Sequence, residues 1–238
     1  MQESLNYPVG IQDFEKIRTE GYLYVDKTAL MRRLIDTGCY FFLSRPRRFG
    51  KSLLLSTFTA YFQGEQQLFK GLDIEKSTEK WPKHPILRLD LGGQRYTKPE
   101  DLTEILDTHL NAWEAQYGTT PGARSPAPRF WGIIQRAHEK TGLKAVILVD
   151  EYDKPLLDSA DNEALYEEYR GILRAFYYNL KSCDGHIKFA FLTGVTKFSK
   201  LSVFSDLNNL SDISMLHTMR HHRGRTVPIL RSRYRTAG

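Results

Sequence analysis

Apolar positions along the chain alternate between short unbroken runs and longer stripes that recur every three to four residues. The short runs are residues 39–43 (CYFFL), 85–91 (PILRLDL), 144–150 (KAVILVD) and 187–195 (IKFAFLTGV). Three of them are apolar almost throughout, which predicts parallel strands covered on both faces rather than strands with one wet side. The stripes between them have helical spacing. Residues 100–117 align Leu102, Ile105, Leu106, Leu110 and Trp113; residues 130–140 align Ile133, Ile134 and Ala137; residues 162–181 align Leu165, Tyr169, Ile172, Leu173, Phe176 and Leu180. A further helix is expected over residues 52–62, and another ahead of the first strand, capped by Asp26 or Thr28 and ended by Gly38. Residues 119–128 (TTPGARSPAP) read as an inserted loop. Strands alternating with helices predict an α/β fold, a three-layer arrangement around a mainly parallel sheet.

The first strand runs into SRPRRFGKS, residues 44–52, and the helical pattern starts at its end. A phosphate-binding loop has the form G-x-x-x-x-G-K-[ST] between a strand and a helix. Here the second half and the setting match, while Arg45 stands where the first glycine belongs. Pro46 biases residue 45 toward extended geometry, so the strand is expected to run one residue further before the loop turns. Backbone N–H groups at the start of the helix would then face an anion. The candidate nucleotide-binding residues are Arg47, Arg48, Phe49, Gly50, Lys51, Ser52 and Leu53. Lys51 would reach the β and γ phosphates, and the Ser52 hydroxyl would ligate magnesium. The Arg47 and Arg48 side chains either add charge at the phosphates or lie solvated on the rim.

About a hundred residues later the most apolar run ends in Asp150-Glu151. A carboxylate there can hold magnesium through water, the role expected of Asp150, and a second can orient and deprotonate an attacking water, the role expected of Glu151. A strand that simply ends in surface acids is the plain alternative. The last run ends Thr193-Gly-Val-Thr196, where a polar side chain can meet the γ-phosphate or the water, so Thr193 and Thr196 join Glu151 and Lys51 as catalytic candidates. This order of parts, with a strand between the loop and the Asp-Glu tip, is that of P-loop ATPases of the additional-strand, catalytic-glutamate type.

Charge and cysteines narrow the picture. The net charge is +6, but six of the 34 lysines and arginines lie beyond Leu216 with no acid among them, and the 28 acids balance the rest. The excess is all tail, so the body carries no general nucleic-acid signature. Cys39 and Cys183 fit neither a C-x-x-C pair nor zinc spacing and are expected to be packing residues in a reducing, cytoplasmic setting. No apolar run is long enough to span a bilayer. AHEKTG, residues 137–142, has Gly142 where a zinc peptidase needs its second histidine, and DEYDK, residues 150–154, fails the nuclease spacing because residue 152 is tyrosine. Asp153 and Lys154 are expected to shape the adjoining loop or pair with each other. Lysines of TKFSK, residues 196–200, and Arg170 and Arg174 are weak candidates for a trans-acting cation.

Four blocks in order, YLYVDKT, FFLSRPRRFGKSLLLSTF, ILVDEYDKPLL and FAFLTGVTKFSKLSVFSDLNNLSDIS, resemble the bacterial AAA-ATPase-like family, a divergent P-loop group. The resemblance covers roughly residues 6–214. It implies that Arg45 is the family's habit, that Gly50, Lys51 and Ser52 bind ATP, and that Asp150 and Glu151 are the Walker B pair. Members often continue into a PD-(D/E)xK nuclease-like domain, so residues 1–214 are expected to form the P-loop domain of a truncated chain. Residues 215–238 are expected to be a disordered or non-native basic tail, with a nucleic-acid arm as the alternative and His221-His222 as an incidental pair. The implied function is MgATP binding and hydrolysis that drives or switches an unidentified protein or nucleic-acid client. A nucleotide-gated module without turnover and an inactive truncated product are the rivals.

Overall fold

The computed structural model describes residues 6–76, 81, 83–196, 203 and 210–214. Its core is a five-stranded sheet of β1 (Tyr40–Ser44), β2 (Ile86–Asp90), β3 (Ala145–Asp150), β4 (Ile187–Gly194) and β5 (Ser211–Asp212). Every pairing is parallel, and the spatial order is β2-β3-β4-β1-β5. The last strand in the long chain order of the four main ones therefore lies between the strand that leads into the phosphate-type loop and the strand that ends in Asp150.

The unbroken apolar runs are explained by burial on both faces. Val146, Leu148, Phe189, Phe191 and Phe41 point to one side, where they pack with Phe14, Leu55, Phe58 and Phe62. Ile147, Val149, Ala190, Leu192 and Phe42 point to the other and pack with Leu106, Leu110, Phe130, Ile133, Tyr169 and Phe176. The first group of partners belongs to α1 (Phe14–Thr19) and α3 (Lys51–Phe62), with α2 (Thr28–Thr37) adding Met31; the second belongs to α4 (Glu100–Tyr117), α5 (Pro126–Thr141) and α7 (Glu163–Ser182). Helices on both faces of a parallel sheet make the three-layer α/β fold that the pattern predicts.

Several local expectations need correction. The helix expected over residues 130–140 begins at Pro126, inside the Pro-rich stretch, because proline is preorganised for a first helical turn where its missing N–H costs nothing. Arg129 in that turn is nearly buried and bridges to α4: it donates to both oxygens of Glu114, at 3.0 and 2.7 Å, to Asp107 and to Asn111. Cys183 is buried as expected, but Cys39 is exposed. Lys154 pairs with Asp158 one turn along α6 (Lys154–Asp158), not with Asp153. Asp26 acts ahead of the helix, accepting from the Thr28 N–H and hydroxyl and, through its other oxygen, from the Asp73 N–H. The short strand β5 was not anticipated; Ser211 and Asp212 are both exposed, so no apolar pattern marks it. Residues 197–202 and the tail at 215–238, with its arginines and His221-His222, lie outside the described residues.

Candidate functional site

The site assembles where β1, β3 and β4 end side by side. Arg45 continues the ladder past β1, its N–H donating to Gly194 O at 3.1 Å, so an extended residue here is part of the sheet and needs no glycine. The turn comes later. Arg48 and Gly50 adopt left-handed backbone, at φ 67° and 73°, and α3 starts at Lys51 with Gly50 as its N-cap residue. A Cβ at Gly50 would meet no neighbour within 4 Å, so conformation and not space calls for glycine there.

Lys51 is largely buried under this loop, and its ammonium donates to Arg45 O at 3.1 Å and Pro46 O at 3.3 Å. It thus spans the loop that a phosphate would fill. Ser52 and Leu53 are half-buried in the first turn of α3, while Arg47, Arg48 and Phe49 are exposed on the lip. The first turn of α3 carries no acidic residue of its own, so none of its side chains competes with an anion for the positive helix end.

Opposite stands the tip of β3. Asp150 is 3 % exposed, and one of its oxygens accepts from the Thr193 hydroxyl at 2.6 Å and from the Glu151 N–H at 3.1 Å. Thr193 is fully buried, so its hydroxyl orients Asp150 from within the sheet. Glu151 sits at φ 50°, an uncommon backbone conformation for a residue other than glycine. The turn swings its half-buried carboxylate toward Gly92, just past β2. A Cβ on Gly92 would lie 2.8 Å from Glu151 Oε2 and 3.2 Å from Asp90 Oδ1, so the missing side chain is the notch that admits the carboxylate. Burial, with Asp150 and then Asp90 as like charges, pushes the Glu151 carboxyl above its ordinary range, while Lys51 and Arg47 pull the other way. A carboxylate so raised is a better proton acceptor near neutral pH than an exposed one.

The magnesium assignment is chemically consistent with these residues. A carboxylate fixed by two hydrogen bonds and a hydroxyl at a helix start are hard oxygen donors of the kind magnesium takes. Among the described residues no group of three or more His, Cys, Asp or Glu is placed to cage a metal. An ion here would complete its shell with phosphate oxygens and water, the usual habit of magnesium.

Thr196 is held by its backbone to the residues that follow Glu151. Its N–H and that of Val195 donate to Asp153 Oδ2 at 2.5 and 2.9 Å, and its carbonyl accepts from the Tyr152 hydroxyl at 3.1 Å. Arg170 pairs with Glu167 on α7, whose partners lie on the helical face away from α3. Sequence reasoning missed Asp90 and Gly92, and it gave Asp153 no role beyond shaping the loop or pairing with Lys154. For Asp90 the only sequence signal was an acid near the end of the strand-like run PILRLDL; the structure adds that β2 pairs in register with β3 and sets Asp90 beside Asp150.

The family model described as Predicted AAA-ATPase matches residues 8–204. An uncharacterized protein in the vnfD 5′ region of Azotobacter chroococcum mcd 1 is 44 % identical over 209 residues, 87 % of this chain and 40 % of that protein. The chain therefore spans about 40 % of the length of this relative. No solved structure shows significant similarity. No described helix is long and apolar enough to cross a membrane.

Proposed function

The chain belongs to the predicted AAA-ATPase family, and we propose that it binds MgATP and hydrolyses it with Glu151 as the general base. The observation that carries this reading is the facing pair at the sheet's carboxyl end. A buried lysine beneath a left-handed Gly-Lys-Ser turn stands opposite a carboxylate held in strained backbone and seated in a glycine notch.

In this reading the α3 start and Lys51 hold the β and γ phosphates; Ser52 and, through water, Asp150 would hold magnesium, which would supply positive charge to the phosphoryl oxygens. Glu151 takes a proton from a water as its oxygen bonds to the γ phosphorus. The bond from that phosphorus to the bridging oxygen breaks, leaving ADP and inorganic phosphate. Thr193 acts through Asp150, and Arg47 and Arg48 supply positive charge at the lip. Hydrolysis would serve an interaction made with a protein or nucleic-acid client, in line with the greater length of the relative.

The test is calorimetric titration of MgATP into wild type and Lys51→Ala, each with a thermal melt, followed by single-turnover hydrolysis. Binding by the wild type and none by a folded Lys51→Ala is expected. A folded wild type that does not bind overturns the reading. Binding without turnover leaves a nucleotide-gated module in place of an ATPase.

A further inference from the structure

Asp153 is 1 % exposed and lies three residues beyond Asp150, just past the end of β3. One carboxylate oxygen accepts the N–H groups of both Val195 and Thr196; the other is buried and has no hydrogen-bond partner among the described residues. A buried carboxylate oxygen left unpaired is costly, and such groups in native proteins call for an explanation. It does not cap α6: Asp153 occupies the N-cap position without a side-chain capping bond. Its carboxylate bonds run instead to the exit of β4.

Tyr152 reinforces the same junction. It is fully buried, its N–H donates to Thr193 O at 3.0 Å and its hydroxyl to Thr196 O. Its ring lies so close to β4 that a Cβ on Gly194 would come within 2.2 Å of it and 2.7 Å of the free Asp153 oxygen. The exit of β4 is therefore stapled on one side to the turn that carries Glu151. On its other side the Gly194 carbonyl accepts from Arg45, whose own carbonyl accepts from Lys51.

Resting on the ATPase reading above, we propose that Asp153 is a positioning residue, which locks the β4 exit to the Glu151 turn and so registers the general base against the phosphate loop. Lys51 holds the carbonyl of Arg45, and a phosphate arriving at Lys51 competes for that bond. The change passes through Arg45 to Gly194, and the Asp153 clamp delivers it to the turn beside Glu151. The carboxylate's free oxygen is the sign that this position is kept for its two-amide grip and not for local stability.

The experiment compares wild type, Asp153→Ala and Asp153→Asn by MgATP calorimetry, single-turnover hydrolysis, and amide hydrogen exchange over residues 187–196 with and without MgATP. Asparagine keeps an oxygen for the two N–H groups. Asp153→Ala is expected to bind MgATP within a few-fold of wild type but to hydrolyse it roughly 10- to 100-fold more slowly, the scale of a misplaced catalytic group. It should also lose the MgATP-dependent change in exchange at Val195 and Thr196, and Asp153→Asn should restore both. Hydrolysis by Asp153→Ala at the wild-type rate overturns the proposal, as does a loss of binding and rate together that asparagine does not rescue. If wild type binds MgATP without turnover, the hydrolysis reading falls while exchange still decides the clamp: a wild-type response that Asp153→Ala lacks supports it, and no response overturns it. A wild type that does not bind overturns both.

Discussion

Replacing Gly92 by alanine is the sharpest test of where Glu151 works. Gly92 is not held in left-handed backbone, so alanine meets no conformational penalty there, and its stiffer unfolded chain favours folding by about 0.4–1 kcal/mol. The new methyl, however, would stand 2.8 Å from Glu151 Oε2 and 3.0 Å from its Cδ, against an ordinary contact of 3.4 Å or more. The carboxylate is the far end of a flexible side chain, and it yields by withdrawing about 0.6 Å. A displacement of roughly 1 Å costs a reacting group on the order of 100-fold in rate, so about tenfold is expected here. Stability and activity should thus move in opposite directions. The melting temperature should hold or rise by about 2 °C, MgATP affinity should stay within a few-fold, and the single-turnover rate should fall. A wild-type rate in a folded Gly92→Ala protein would refute the placement of Glu151 as base. A marked drop in melting temperature would refute the argument that the side chain gives way.

Two further outcomes follow from the charges. Glu151→Gln should retain MgATP binding and lose hydrolysis. Because the folded-state carboxyl is raised, the wild type's stability from this group is present below the ordinary glutamate range and lost as pH rises through the folded value. The glutamine variant should therefore melt at the same temperature as wild type in acid and above it at mildly alkaline pH; the reverse order in paired melts would refute the assignment of causes. Arg129→Ala should destabilise by about 2 kcal/mol, since it strands a Glu114 carboxylate that is 11 % exposed on α4. The Arg129 hydrogen bond holds Glu114 below its ordinary range, so this stabilisation is lost as pH falls through the folded value, and chemical denaturation should find the variant's deficit shrinking in acid.

Much of this protein is legible in its residues. Apolar runs such as AVILVD have no polar face to offer water and are too short for a buried helix, so they read as strands covered on both sides, and their alternation with striped helices points to a parallel three-layer sheet. The Gly-Lys-Ser turn and the Asp-Glu tip are equally local, because each needs only a strand, a turn and a particular side chain. Even Arg45 was readable through Pro46. Tertiary structure decided what depends on pairs distant in the chain. Strand order is one such matter: β4 enters between β1 and β3, a choice invisible to periodicity, and β5 is recognisable only by its pairing with Phe41 and Phe42. Close approach is the other. Gly92 reads as a turn residue until the Glu151 carboxylate is found against it, and Asp153 as a loop-shaping acid or a partner for Lys154 until the amides of Val195 and Thr196 are found on it. Sequence periodicity reports which side of an element meets the core; it holds no record of which atoms from separate elements meet each other, and that is where the proposed chemistry is set.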